Sequence, residues 1–186
     1  MANTSDFKNG LVIEFNGNLF SIIEFQHVKP GKGPAFVRTK LKSLTNGKVL
    51  DNTFSAGHKI DVVRVETHTF QYLYAEGEQF HFMNNESFEQ ILLNSNLVVM
   101  ADLMKEGQEV EILINTENEQ AISCELPPFV ELKVTYTEPG VRGDTANSPK
   151  KPATVETGAT ITVPIFIEQD EIIKVDTRTY AYAERV

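Results

Sequence analysis

One stretch constrains this chain more than any other: His27-Val28-Lys29-Pro30-Gly31-Lys32-Gly33-Pro34-Ala35-Phe36. A β-like run, Leu19 to Phe25, leads into it, and another, Phe36 to Leu44, leads out. Proline fixes φ and glycine permits positive φ, so Pro30, Gly31, Gly33 and Pro34 form a tight turn held stiff on both sides. The chain must double back here as a hairpin, with Lys32 presented outward at the tip. A turn lysine taken alone is ordinarily just solvated. The surrounding residues argue for more.

The first 64 residues read as all-β. Asn9-Gly10, Asn16-Gly17 and Asn46-Gly47 are turn dipeptides of the kind that closes hairpins. From Val37 to Lys42 the alternation is strict, with Val37, Thr39 and Leu41 on one face and Arg38, Lys40 and Lys42 on the other. That basic row leads from a tip holding Lys29 and Lys32, and together they read as a phosphate-contacting edge. A first boundary falls near Arg64 or Val65. The next segment alternates short strand-like runs with Asn85 to Leu92, which reads as a short capped helix. Pro127-Pro128 closes it. Short strands with one small helix over about sixty residues suit a five-stranded Greek-key barrel of the OB type. The third segment opens with a strand, Phe129 to Tyr136. A long polar stretch, Thr137 to Thr154, follows, and loops of that length are often functional. Strands at Thr160 to Glu168 and Ile172 to Val175 end the chain, with Gln169-Asp170 as the turn between them.

Charge is distributed unevenly. The net charge is −9, which argues against simple nucleic-acid binding by the whole surface. Residues 1–64, however, carry nine Lys/Arg against five Asp/Glu, and residues 65–128 carry one against twelve. Such asymmetry suits a chain with one segment facing phosphate and another kept away from it. Met1 to Gly10 lacks the apolar core of a secretory signal, and no apolar run approaches a membrane span. Cys124, the only cysteine, excludes an internal disulfide and reads as a buried structural thiol. A cytoplasmic protein without membrane contact is expected.

Several chemistries fail on spacing. His27, His58, His68 and His81 have no metal-ligand pattern, so no metal or cofactor is expected. Gly31-Lys32-Gly33 is not a phosphate-binding loop, because Gln26 stands where the first glycine belongs and a strand follows where a helix is needed. Glu109 and Glu111 share a strand face but sit in a segment crowded with acids, and no serine or cysteine occupies a nucleophile elbow. A Schiff-base lysine needs desolvation, which a Gly/Pro tip denies to Lys32.

Lys29-Pro30-Gly31-Lys32-Gly33, Phe82-Met83, Gly143-Asp144-Thr145 and the ending are residues of one known pattern. That ending runs Lys151-Pro152-Ala153-Thr154-Val155-Glu156-Thr157-Gly158, Val163-Pro164 and Ile173-Lys174-Val175-Asp176-Thr177-Arg178-Thr179. Over its full length the chain resembles bacterial elongation factor P. The resemblance implies three small β-barrels: an SH3-like (KOW-like) domain at 1–64 and two OB folds at 65–127 and 128–186, in an elongated, L-shaped, tRNA-like arrangement. It implies binding to the ribosome between the peptidyl and exit tRNA sites, as a monomer and not as an enzyme, with relief of stalls at consecutive prolines. Lys32 matches the tip lysine that a modifying enzyme extends in many members and that approaches the peptidyl-tRNA end. Arg142, Gly143, Asp144 and Thr145 fall in a loop that looks toward the exit-site codon. Pro34 and Tyr180-Ala181 depart from the family pattern, the latter standing where a Gly-containing turn is common. A specialised paralogue and a general single-strand RNA-binding OB protein stay open as alternatives. The second of these needs a basic groove with stacking aromatics, which a segment holding one Lys/Arg lacks.

Overall fold

Each Asn-Gly dipeptide is a turn in the computed structural model, which describes residues 2–140 and 149–186. Asn16 and Gly17 both take positive φ, 52° and 73°, the mirror-image turn whose twist matches the strands it joins. It links β2 (Val12–Phe15) to β3 (Asn18–Val28) with Phe15 paired to Asn18. The rest of the first sheet is β1 (Ala2–Asn3), β4 (Phe36–Ser43), β5 (Val49–Ser55) and β6 (Lys59–Val62), in the order β1-β6-β2-β3-β4-β5. Its alternating apolar residues bury Ile13, Ile22, Val37, Leu41, Phe54 and Ile60 around Phe7 and Phe20. Edge-to-face contacts of Phe54 with Phe7 and Phe15, both at 5.5 Å, tie the strands together.

The second sheet comprises β7 (Val65–Glu76), β8 (Gln79–Asn84), β9 (Gln90–Asn94), β10 (Glu109–Asn115) and β11 (Gln120–Glu125), ordered β11-β10-β7-β8-β9. The third comprises β12 (Phe129–Thr137), β13 (Lys150–Val155), β14 (Thr160–Pro164), β15 (Ile172–Asp176) and β16 (Ala181–Arg185), ordered β14-β13-β12-β15-β16. The described residues are all-β, interrupted only by 3-10 turns at Thr4–Asp6, Ser95–Leu97 and Ala101–Leu103. By compactness the chain falls into two units, residues 1–67 with 113–123, and residues 68–112 with 124–186. No helix among the described residues is long and apolar enough to cross a membrane.

Two expectations are corrected. Asn85 to Leu92 is not a helix: residues 85–87 form a turn and Gln90–Asn94 is a strand. The Asn84 side chain accepts from the Glu86 and Ser87 amides at 2.8 and 3.0 Å. Such an Asx turn competes with the helical ladder, and Phe88 then takes a left-handed φ of 59°. The Asn84 amide donates to the Glu89 carbonyl at 2.9 Å, closing the β8–β9 hairpin. Similarly, the polar stretch after Thr137 does not run to Thr154, because β13 starts at Lys150. Pro152 has no N–H to donate, yet its carbonyl accepts from the Thr137 hydroxyl at 2.9 Å, and Pro152 pairs with Thr162.

Candidate nucleic-acid interface

β3 and β4 pair from Phe20–Ser43 to Val28–Phe36, so the loop between them starts at Lys29 on a long two-stranded stem. The base is pinned just past β5, where the Ala56 amide donates to the Ala35 carbonyl at 3.0 Å. Lys29, Pro30, Gly31, Lys32, Gly33 and Pro34 are all exposed. Gly33 has φ +108°, a conformation that a side chain strains whatever space surrounds it; Gly31 has an ordinary φ and open space around it. Among the described residues no carboxylate forms an ion pair with Lys32. The tip therefore carries a primary amine that the fold presents and does not use.

Val37, Thr39 and Leu41 are buried while Arg38, Lys40 and Lys42 are exposed, which matches the alternation in the sequence. Their setting differs from an edge. β4 lies between β3 and β5, so the basic row occupies the outer face of the sheet. Lys40 donates to Glu24 on β3 at 2.8 Å and stands opposite Asp51 on β5. That hydrogen bond and the Glu24 charge raise its pKa above the usual lysine value. Sequence reasoning missed Glu24 and Asp51, because a bulge at Ile23 resets the β3–β4 register between Ile22 and Glu24. Arg38 lies over the Phe36 ring, 5.5 Å from its centroid, flanked by Gln26 and Thr53. Lys42 faces Ser21 and Val49.

The two ends of the chain treat their cations differently. Among the described residues up to Arg64, Lys40 is the only Lys or Arg in an ion pair. In the third sheet, Lys133 pairs with Asp170 at 2.7 Å, Lys174 with Glu184 at 2.6 Å, and Arg185 with Glu171 at 3.0 Å. Arg178 forms a side-on fork with Asp176, at 3.0 and 2.6 Å, while lying 5.4 Å from the Phe129 ring centroid. Among the described residues, positive charge outside ion pairs is concentrated in the first sheet, in line with the charge asymmetry of the sequence.

Arg142, Gly143, Asp144 and Thr145 lie outside the described residues. The described ends of their loop converge on Ile165, whose amide donates to the Pro149 carbonyl at 3.2 Å. A Cβ on Gly140 would come within 2.7 Å of the Ile165 carbonyl oxygen, so only glycine fits there. Among the described residues no group of three or more His, Cys, Asp or Glu is placed to hold a metal ion. Cys124 is buried, and burial, aided by Glu125, pushes its thiol up to about 12. Such a thiol is inert.

Comparison with known proteins accounts for nearly the whole chain. Residues 3–60 match the elongation factor P KOW-like domain, residues 65–124 the elongation factor P OB domain, and residues 130–185 the elongation factor P C-terminal domain. Elongation factor P of Flavobacterium johnsoniae is 64% identical over 186 residues, covering 100% of this chain and 99% of that one. The Amoebophilus asiaticus factor is 63% identical, covering 100% of this chain and 98% of its own. Among solved structures, translation initiation factor 5A from Methanococcus jannaschii superimposes with a TM-score of 0.51 at 20% identity, over 68% of this chain and 90% of that one. An initiation factor 5A family protein from Naegleria fowleri gives 0.52 at 18% identity, over 67% of this chain and 96% of its own. At that identity the two structures speak for the fold alone. The full-length relatives and the three matched domains together establish that this chain belongs to the elongation factor P family of translation factors.

Proposed function

We propose that the protein binds the ribosome between the peptidyl and exit tRNA sites and stimulates peptide-bond formation where consecutive prolines stall it. The chain then comprises three functional domains, 1–64, 65–127 and 128–186, and works in the cytoplasm as a monomer. The carrying observation is Lys32, exposed and, among the described residues, without an ion pair, at the closed end of a stem where Lys29, Arg38 and Lys42 are likewise unpaired and Lys40 alone is paired, with Glu24. Ribosomal RNA and the peptidyl-tRNA meet that face, and phosphate contacts by the cations fix its orientation. A lysine-modifying enzyme extends Lys32 toward the peptidyl-tRNA end. Arg142, Gly143, Asp144 and Thr145 face the exit-site codon of the messenger.

The mechanism is positional. The proline ring restricts the approach of the reacting groups, and a misplacement of about 1 Å can cost a hundredfold in rate. A factor that steadies the peptidyl-tRNA end restores the attack geometry, and the ribosome performs the chemistry. The test is peptide synthesis through three consecutive prolines on purified ribosomes, with and without factor from its own host. Acceleration confined to the proline-containing message supports the reading. Equal rates with and without factor refute it.

A further inference from the structure

The outer face of the first sheet holds a groove that the tip lysine does not account for. Two cross-strand rows form its walls, Gln26–Arg38–Thr53 and Glu24–Lys40–Asp51. The row between them turns inward, and its Thr39 hydroxyl donates to the Asn52 carbonyl at 3.0 Å, so the floor draws nothing from the walls. The Ile23 bulge lies beside this row and adds local twist. The resulting space is about 310 Å³, at the lower end of the range of small-ligand sites, about 300–1,000 Å³.

The walls differ in chemistry. Lys40 is held by Glu24 at 2.8 Å, so the Asp51 carboxylate acts on Lys40 only through its charge and, among the described residues, accepts no hydrogen bond on that side. On the other side the Arg38 guanidinium, its position steadied over the Phe36 ring, keeps its donors free. A ligand for this groove is flat, with adjacent donors on one edge and adjacent acceptors on the other. Among nucleobases only guanine has both: N1–H and N2–H₂ for a carboxylate, and O6 and N7 for an arginine. RNA recognition favours such unstacked bases.

We infer that this groove binds an unstacked guanine of an RNA, with Asp51 accepting from its N1–H and N2–H₂ edge and Arg38 donating to O6 and N7. The inference rests on the proposed reading of this face as RNA-facing, but its test needs no ribosome. The full-length ¹⁵N-labelled protein is titrated with GMP, AMP, CMP, UMP and inorganic phosphate. GMP should shift the amides of Gln26, Arg38, Asp51 and Thr53, with a Kd at least about fivefold below that of any other nucleotide. Asp51→Asn, nearly isosteric at an exposed site and checked for an unchanged spectrum elsewhere, should abolish that preference. No shifts, equal shifts with all four nucleotides, or the same shifts with phosphate alone would each overturn the assignment. So would shifts from an arginine-containing peptide and from no nucleotide, which would make the groove a protein contact. If GMP fails while proline-stall relief persists, the groove falls alone and the proposed function stands.

Discussion

The Tyr180 hydroxyl donates to the Asp102 carboxylate, joining the β15–β16 turn to the 3-10 turn Ala101–Leu103. Tyr180 has φ 56°, a left-handed conformation that costs a side chain roughly 1–2 kcal/mol. Here the hydroxyl anchors the strained residue, and β16 starts immediately after it at Ala181.

Alkaline pH should loosen this anchor. Burial, then the Asp102 bond and charge, push the Tyr180 hydroxyl up to about 12. A pKa raised above the unfolded value of about 10 gives stability that is complete below pH ~10 and lost as pH rises through the folded value. Tyr180→Phe should cost about 1 kcal/mol at neutral pH and flatten the decline between pH ~10 and ~12, measured by urea melts. The residual slope comes from Cys124, also held near 12, and from Tyr72, Lys40, Lys133 and Lys174, whose values are raised as well.

The same 3-10 turn contributes Leu103, which is 0% exposed within the core of the third sheet. Leu103→Ala removes buried methyl groups and leaves a cavity, so it should cost about 2–5 kcal/mol. A lower urea midpoint at unchanged slope is the expected result. A loss below about 1 kcal/mol would mean that the site collapses around the gap.

At acid pH the relevant group is Asp176, whose carboxyl the Arg178 fork holds down at about 2. A lowered pKa contributes stability above the unfolded value of about 3.9 that is lost as pH falls through the folded one. Carboxyl NMR of the parent should titrate near 2, and Arg178→Ala should return the midpoint toward the ordinary carboxylate range.

Gly31 and Gly33 should respond differently although both flank Lys32. Ala fits at Gly31, whereas at Gly33 it meets a φ of +108° and must move the tip backbone. Gly33→Ala should reduce proline-stall relief sharply and Gly31→Ala only slightly, as read by triple-proline synthesis.

What the sequence made legible was local. The Asn-Gly turns and the alternation from Val37 to Lys42 specify their strands through neighbours along the chain, and the structure keeps both. Asn85 to Leu92 misled because an Asx turn and a helix N-terminus use the same residue types, and the choice is made by the hairpin partner in β8. Pro152 disguised β13, since a proline is tolerated in a strand only where its missing N–H is not needed. The position of β4 inside the sheet, the Glu24–Lys40 pair and the reach of Leu103 into another core depend on register and on contacts distant in sequence. At the tip the flanking strands and the exposure of Lys32 were readable, but the expected tight turn is instead a loop over residues 29–35 made of bends.

The most direct test of the central claim is translation through three consecutive prolines with Lys32→Ala, using factor purified from its own host. Substitution at an exposed tip should change stability by no more than about 0.5 kcal/mol, and Lys29, Arg38 and Lys42 should preserve most ribosome affinity. Lys32→Ala should therefore melt like the parent and leave proline-free messages unaffected, yet slow polyproline synthesis sharply. Lys32→Arg should fail as well, because a guanidinium differs in shape and cannot carry a lysine-specific extension. Polyproline synthesis by Lys32→Ala at the parent rate would contradict the account and leave Lys32 an ordinary solvated hairpin residue.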